Sequence, residues 1–207
     1  IEKVARTGKP MIISTGMATA SELGDAVAAA RESGCRDLVL LKCTSSYPAP
    51  PDDTNIRTIP HMRELFGCEV GLSDHTMGVG VSVASVALGA SVIEKHFTLA
   101  RADGGVDSAF SLEPHEMRAL VEETERAWGS LGSISYGPTA AELKSLKDRR
   151  GLRVVADLAP GDVLTHVNVK AIRPGGELTS GYLDVVLGRK VKVAVKRGTA
   201  LSWDLIA

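Results

Sequence analysis

Short apolar runs alternate with longer amphipathic stretches over the first two thirds of the chain. The runs are rich in Val, Ile and Leu, which is typical of parallel strands buried on both faces. The stretches between them repeat their apolar residues at helical spacing. This pattern predicts four strand and helix pairs, at residues 11–14 and 21–32, 37–42 and 55–66, 69–72 and 79–88, and 91–96 and 113–131.

The alternation predicts an α/β fold that supplies only half of a (β/α)8 barrel. A TIM barrel needs eight such units, and a half barrel leaves an apolar sheet edge exposed, which soluble proteins avoid. The chain also begins inside what resembles a helix end, at residues 1–7, followed by Gly8 and Pro10 as a helix stop. We therefore expect the missing units to precede Ile1, so that the chain is the carboxyl part of a longer protein.

The pattern changes after residue 132. Residues 133–148 form a predicted linker that begins with Gly, Ser and Pro and contains a short charged helix at 140–147. Short strands separated by Pro-Gly turns follow, with one helix predicted at 180–187. The sequence thus predicts a barrel part over 1–132 and a second, small β-rich domain over 149–207.

Composition removes several functional classes. The chain has 207 residues, 44% of them hydrophobic and 24% charged, with a formal net charge of -1. This charge gives no electrostatic footprint for nucleic acid, and no apolar run reaches the roughly 20 residues of a membrane span. The three cysteines lack paired spacing, so they predict reduced thiols in a cytoplasmic protein: Cys35, Cys43 and Cys68.

Two histidines end neighbouring predicted strands. Residues 72–76 read Leu-Ser-Asp-His-Thr, and residues 94–97 read Glu-Lys-His-Phe. Parallel strand ends meet at one rim, so His75 and His96 converge there. With Asp74 and Glu94 beside them, they suit an open divalent metal site such as one for Mn²⁺. The alternative for the histidines is a structural role. One of the carboxylates can instead point into barrel packing or orient a ligand histidine from behind, because neighbouring strand residues alternate faces.

Hydroxyl groups recur at the same predicted rim. Ser14, Ser45 and Ser73 lie at the ends of the first three strands, where hydroxyl and backbone donors suit a phosphate. Serines at strand ends also serve as turn formers or helix caps, which is the alternative for each one alone. Lys42 and Lys95 add positive charge near the rim, although Lys95 can face outward between strand and helix.

Two further residues lie in loops that suit sugar binding. Tyr47 opens a Pro-rich loop, and Asp107 lies in a Gly-rich loop, where each can hydrogen-bond a polyhydroxylated amino sugar. Loop packing and turn capping are the alternatives for these two residues. Arg173, in the last domain, is by default a solvated turn residue.

Two other features are interpreted as structure. Residues 78–80 read Gly-Val-Gly, which is too short a glycine pattern for dinucleotide binding. An apolar stripe repeats at helical spacing in the fourth helix and predicts a core face toward the barrel: Met117, Leu120, Val121, Thr124 and Trp128.

In these features the chain resembles the sialic acid synthase family, a phosphoenolpyruvate-condensing TIM barrel followed by an antifreeze-like (SAF) domain. The residues at 103–114 resemble the pseudaminic acid synthase branch. The matching segments run in order along the chain: 13–17 (Ile-Ser-Thr-Gly-Met), 42–48 (Lys-Cys-Thr-Ser-Ser-Tyr-Pro), 71–76 (Gly-Leu-Ser-Asp-His-Thr), 94–97 (Glu-Lys-His-Phe) and 172–175 (Ile-Arg-Pro-Gly).

The resemblance implies a role for each candidate residue. His75 and His96 become ligands of a divalent metal, Mn²⁺ first with Mg²⁺ and Co²⁺ as alternatives, and Glu94 joins them as a catalytic residue. Arg173 is implied to reach a partner's active site in a domain-exchanged homodimer. Phosphoenolpyruvate is implied to bind Ser14, Ser45 and Ser73, and the N-acylated amino sugar to bind Tyr47, Asp107 and Arg173.

The implied reaction condenses phosphoenolpyruvate with a 2,4-diacetamido-trideoxy hexose to give pseudaminic acid and phosphate. N-acetylneuraminate or legionaminate synthesis is the alternative within the family. A non-catalytic carbohydrate-binding fragment is the alternative from another class, because the SAF-like domain alone has no nucleophile or metal cluster.

Overall fold

A computed structural model describes residues 1–207, which form two compact units, Ile1–Ser133 and Ile134–Ala207. The first unit holds four parallel strands in sequential order, so the predicted α/β half barrel is confirmed. The strands are β1 (Met11–Ser14), β2 (Leu38–Cys43), β3 (Glu69–Asp74) and β4 (Val92–Lys95). The helices are α1 (Glu2–Ala5), α2 (Ala20–Glu32), α3 (Thr58–Phe66), α4 (Gly80–Ala87) and α5 (Pro114–Ser130).

The sheet has a covered face and an open face. Leu40, Val70 and Leu72 point to the covered face, where they join Ile59 of α3 in one buried core cluster. The alternate positions point the other way, and Ile12 of β1 is 55% exposed there. Because strand side chains alternate, each strand end offers one residue to the helices and the next to the open face.

Local chemistry sets the helix boundaries. Thr19 caps α2 in a capping box with Glu22. The predicted start of the second helix at residue 55 is wrong, since α3 begins at Thr58. Residues Pro51–Asp53 form a 3-10 turn and Asn55 has a φ of 44°, and this left-handed residue separates the turn from α3.

The predicted core stripe of the fourth helix is only partly buried. Leu120 is 5% exposed, whereas Val121 is 51% and Trp128 is 68% exposed. Within this unit α5 packs mainly against α4. This contact covers only part of the apolar stripe of α5. The prediction of a core face is therefore wrong for Val121 and Trp128.

Gly71 allows β3 and β4 to approach each other. A Cβ at Gly71 would lie 2.1 Å from the Val92 carbonyl oxygen and 2.6 Å from Cδ2 of Leu41. We expect Gly71→Ala to lower the free energy of unfolding by roughly 3 kcal/mol, the upper part of the usual cost of overpacking.

Gly24→Ala is the matched control, because its Cβ meets nothing within 4 Å in α2 and should add about 0.5–1 kcal/mol of stability. Denaturant unfolding of both variants measures the difference. Equal stability of the two variants would contradict the packing at Gly71.

The second unit is β-rich with few regular elements. Strand β5 (Gly151–Val154) pairs antiparallel with β6 (Val169–Ile172), and α6 (Leu183–Val186) lies within the predicted helix range. The predicted run of strands is otherwise reduced to isolated bridges, and the predicted charged helix is a 3-10 segment, Glu142–Asp148. The core is fully apolar: Leu152, Leu164, Leu178, Val186 and Leu201. The linker at 133–148 stays a prediction.

Two predictions made from composition can be compared with the structure. The three cysteines are free thiols. None of the helices combines the length and the apolar character that crossing a bilayer requires.

Candidate active site

The two histidines lie side by side at the carboxyl ends of β3 and β4. Asp74 and Lys95 are register partners, so the next residue of each strand, His75 and His96, sits at the same level. The ring centroids of His75 and His96 are 5.2 Å apart, with an angle of 66° between the ring planes. The predicted convergence of the imidazoles is therefore present in the fold.

A backbone carbonyl fixes the tautomer of His75. Nδ1 of His75 lies 2.9 Å from the carbonyl oxygen of Thr44, which follows β2. A carbonyl oxygen only accepts, so Nδ1 carries the hydrogen and Nε2 of the neutral ring keeps its lone pair. This arrangement is the one found behind many metal-binding histidines. Nothing in the sequence indicated this role of Thr44.

His96 is the more open of the two imidazoles. Its side chain is 28% exposed, and Nδ1 lies 3.7 Å from Oδ2 of Asp107, beyond hydrogen-bond distance. The carbonyl oxygen of His96 accepts a hydrogen bond from the Leu112 amide at 2.8 Å, which ties the loop that carries Asp107 to the end of β4. The predicted sugar-binding residue Asp107 thus lies beside a predicted metal ligand.

Aromatic rings border the histidines. The Tyr47 ring lies 4.3 Å from the His75 ring and 5.9 Å from the His96 ring, centroid to centroid. The Phe110 ring lies 5.0 Å from His96 and 5.8 Å from Tyr47. Sequence reasoning missed Phe110, although its place in the same loop as Asp107 was a usable signal. Tyr47 and Phe110 thus form an apolar wall beside the imidazole nitrogens.

Ser73 and Glu94 meet on the open face. The Ser73 hydroxyl donates to Oε1 of Glu94 at 2.7 Å, and the two residues are register partners in β3 and β4. Glu94 therefore shares a face with the hydroxyl that the sequence proposes for phosphate. A carboxylate in this position can accept a proton from a molecule bound above the sheet.

Asp74 and Lys95 lie on the covered face instead. Oδ2 of Asp74 accepts from Nζ of Lys95 at 2.8 Å, and the side chains are 0% and 2% exposed. Burial alone would raise the pKa of the Asp74 carboxyl, but hydrogen bonds from Lys95, Ser82 and Thr76 outweigh it and lower this pKa. Of the two suggestions for Lys95, phosphate contact is therefore wrong and the position between strand and helix is correct.

The other residues predicted near the phosphate, Ser14, Ser45 and Lys42, lie at the ends of β1 and β2. Ser14 ends β1 and is exposed, and Ser45 is exposed just beyond β2, with its hydroxyl 3.6 Å from Sγ of Cys43. Nζ of Lys42 donates to the carbonyl oxygen of Cys43 at 2.7 Å and to Oγ1 of Thr44 at 3.1 Å. Burial lowers the pKa of Lys42. Lys42 thus secures the turn after β2.

Arg173 lies in the second unit, directly after β6. The residue is exposed, and its side chain makes no hydrogen bond or ion pair within the chain. Its neighbour Arg153 donates to the carbonyl oxygens of Pro174 and Gly175, which holds the turn that follows Arg173. The guanidinium of Arg173 is therefore free to contact a ligand.

The donor set can be tested against a divalent cation. No group of three or more His, Cys, Asp and Glu side chains is arranged to hold a metal by protein ligands alone. His75 and His96 nevertheless fit a site with two imidazole ligands, because the tautomer of His75 leaves Nε2 unprotonated and His96 is partly open. Such a site keeps its remaining coordination positions for water and substrate.

The fold is that of an α/β half barrel followed by a small β-rich unit. Comparison with protein families identifies both parts. The NeuB family matches residues 1–136 and the SAF domain matches residues 149–207. The chain belongs to the NeuB family, which confirms the family resemblance found in the sequence.

Individual relatives agree with this assignment. The chain is 39% identical over 208 residues to pseudaminic acid synthase of Helicobacter pylori, covering 99% of this chain and 60% of the relative. It is 34% identical over 199 residues to N,N'-diacetyllegionaminic acid synthase of Campylobacter jejuni, covering 95% and 59%. The chain therefore spans about three fifths of the length of these relatives.

A solved structure shows the same fold. The N-acetylneuraminic acid (sialic acid) synthetase from Leptospira borgpetersenii serovar Hardjo-bovis, in complex with citrate, superposes with a TM-score of 0.64 at 37% identity. The match covers 70% of this chain and 50% of that chain.

Proposed function

We propose that the protein is a phosphoenolpyruvate-dependent nonulosonic acid synthase that forms pseudaminic acid. The observation that carries the proposal is the convergence of His75 and His96, 5.2 Å apart, beside the Ser73–Glu94 pair on the open face of the sheet. Family membership and 39% identity to a pseudaminic acid synthase support the substrate class.

Phosphoenolpyruvate would bind over the strand ends through hydroxyl groups. Ser14 and Ser45 are exposed at and just beyond the ends of β1 and β2, where their hydroxyls would donate to the phosphate. The hydroxyl of Ser73 donates to Glu94 and would have to turn toward the phosphate. Hydroxyl donors hold phosphate oxygens without burying a large positive charge in the sheet.

His75 and His96 would hold the divalent ion, which when bound supplies Lewis-acid polarisation of the sugar aldehyde. Carbon 3 of phosphoenolpyruvate attacks that aldehyde, and a water molecule adds at carbon 2. Glu94 would take a proton from this water, and its carboxylate on the open face beside Ser73 supports this role. The bond between carbon 2 and the phosphate oxygen then breaks, carbon 2 becomes a ketone as its new hydroxyl loses a proton, and the alkoxide formed from the aldehyde takes up a proton.

The loops would select the sugar. Tyr47 is 54% exposed beside both imidazoles and can contact an N-acyl group, with Phe110 packed behind it. Asp107, close to His96, can accept hydrogen bonds from sugar hydroxyls. An apolar wall with few polar groups at its edge suits a deoxygenated, doubly acylated hexose.

Assays with several sugars test which sugar the protein condenses with phosphoenolpyruvate. The full product of the gene, with Mn²⁺ and phosphoenolpyruvate, should release phosphate with a 2,4-diacetamido-trideoxy hexose of the pseudaminic series. The relative that makes legionaminic acid, at 34% identity, justifies including its isomeric sugar and an N-acetylhexosamine. A preference for either of these would replace the proposed product, and sugar binding without phosphate release would indicate a binding module.

Arg173 is proposed to bind the sugar's acyl oxygen from the partner in a domain-exchanged homodimer. A hydrogen bond from a charged donor contributes about 1.5–3 kcal/mol, so Arg173→Ala should lower kcat/KM for the sugar about 10- to 150-fold. The KM for phosphoenolpyruvate should barely change. Steady-state kinetics with each substrate varied in turn measure both effects.

Arg197→Ala is the control for these kinetics. Arg197 is another exposed turn arginine of the same unit, so its replacement should leave the sugar kinetics unchanged.

The role of Arg173 in trans has its own test. Mixing Arg173→Ala with His75→Ala subunits should restore one intact site per mixed dimer. No recovery after verified subunit exchange would show that Arg173 does not act on the partner's site.

A further inference from the structure

Behind the two histidines lies a buried ion pair to which the reaction assigns no role. Asp74 and Lys95 are the last residues of β3 and β4, they are register partners, and each directly precedes one of the histidines. Their side chains point to the covered face and are 0% and 2% exposed, so they do not contact a ligand on the open face.

The pair is tied into the turn that carries His75. Nζ of Lys95 donates to the carbonyl oxygen of Thr76 at 2.6 Å as well as to Asp74. Oδ1 of Asp74 accepts from the Thr76 amide at 2.8 Å, and Oδ2 accepts from the Ser82 hydroxyl of α4 at 2.6 Å. A side chain of β4 thus holds the backbone on the far side of His75.

A buried ion pair adds little net stability, because desolvation of both charges offsets their attraction. Replacing such a pair by apolar residues of similar volume is often neutral or stabilising. The pair instead holds the local geometry, because it links the ends of β3 and β4 at one register position and fixes the turn at residues 74–76.

We infer that Asp74 and Lys95, here called the strand-end pair, set the separation and direction of the two imidazoles for a shared divalent ion. Both are positioning residues. The inference rests on the proposed function, because it concerns the same two metal ligands. Groups behind metal ligands typically change metal affinity about 10- to 100-fold when removed.

The experiment measures Mn²⁺ affinity by calorimetry on the metal-free full product of the gene, alongside thermal melting without metal. Lys95→Met should raise the Kd for Mn²⁺ about 10- to 100-fold. Asp74→Asn combined with Lys95→Met removes both charges but keeps an oxygen acceptor for the Thr76 amide, so it should melt nearer the wild-type temperature than Lys95→Met alone and yet bind Mn²⁺ as weakly. The double variant keeps the measurement available if the single variant unfolds.

Arg63→Met is the matched control. Arg63, in α3, donates to Oε2 of Glu69 at 2.9 Å and to the Gly89 carbonyl oxygen at 2.8 Å. It therefore links the chain near the starts of β3 and β4, at the opposite end of these strands from the histidines. Its loss should leave the Kd for Mn²⁺ unchanged, because it is remote from the imidazoles.

The outcomes separate the two hypotheses. A folded strand-end variant that binds Mn²⁺ within about twofold of the wild type overturns the inference alone. If Arg63→Met weakens Mn²⁺ binding as much as the strand-end variants do, the inference is also overturned, because the loss would then not depend on the strand-end pair. A wild-type protein that binds no Mn²⁺ overturns both the inference and the metal assignment in the proposed function.

Discussion

Replacing His75 or His96 by alanine is expected to lower kcat at least about 1,000-fold at saturating Mn²⁺. Lewis-acid polarisation of a carbonyl contributes several kcal/mol to catalysis, and each 1.36 kcal/mol is a factor of ten. The fold should survive, since both residues follow their strands and the core cluster does not include them. Phosphate release and a thermal melt of the same preparation give the two quantities.

His115 provides the control for this prediction. It lies on the surface of α5 with its side chain 75% exposed, so His115→Ala should keep wild-type turnover. Mn²⁺ should also bind more weakly to His75→Ala and to His96→Ala than to His115→Ala. Wild-type activity in either His75→Ala or His96→Ala would show that the convergent imidazoles do not serve the reaction.

Replacing Glu94 by glutamine is expected to lower kcat about 100- to 10,000-fold, the usual contribution of a general base. The amide keeps the size of the side chain and can still accept from the Ser73 hydroxyl, but it cannot take a proton from water. The KM for phosphoenolpyruvate should change little, because the serines remain. Steady-state kinetics at saturating sugar separate kcat from KM.

Glu122→Gln, on the exposed surface of α5, is the control and should leave kcat unchanged. A Glu94→Gln variant with wild-type kcat would remove the carboxylate from the mechanism. A loss of turnover that follows a matching loss of Mn²⁺ affinity would instead make Glu94 part of the metal site.

In the first unit the sequence predicted the strands and helices well, because each strand and helix pair carries a strong local signal. Apolar runs such as the one ending at Leu72 have few competing structures. The convergence of His75 and His96 followed from strand order alone, because parallel neighbours end at one rim.

What the sequence left open was mostly a matter of faces and loops. Alternation requires Asp74 and His75 to point to opposite faces, but it does not say which face carries which residue. The burial of Lys95 against Asp74 decided that question. Phe110 reaches His96 only because the loop closes through the Leu112 amide, a contact between residues far apart in sequence.

The exposure of Trp128 has a similar origin. Helical spacing predicts that residues share a face, and it predicts burial only where another element covers that face. In this unit α5 packs mainly against α4, so the outer part of its apolar stripe stays exposed.

The fate of one oxygen atom tests the proposed reaction most directly. The full product of the gene is incubated with Mn²⁺, the pseudaminic-series sugar and phosphoenolpyruvate labelled with ¹⁸O in the bridge between carbon 2 and phosphorus. Condensation with carbon–oxygen cleavage predicts sugar-dependent release of phosphate that carries the label, together with an unlabelled nonulosonic acid. No sugar-dependent phosphate release, or phosphate released without the label, would contradict the proposed function.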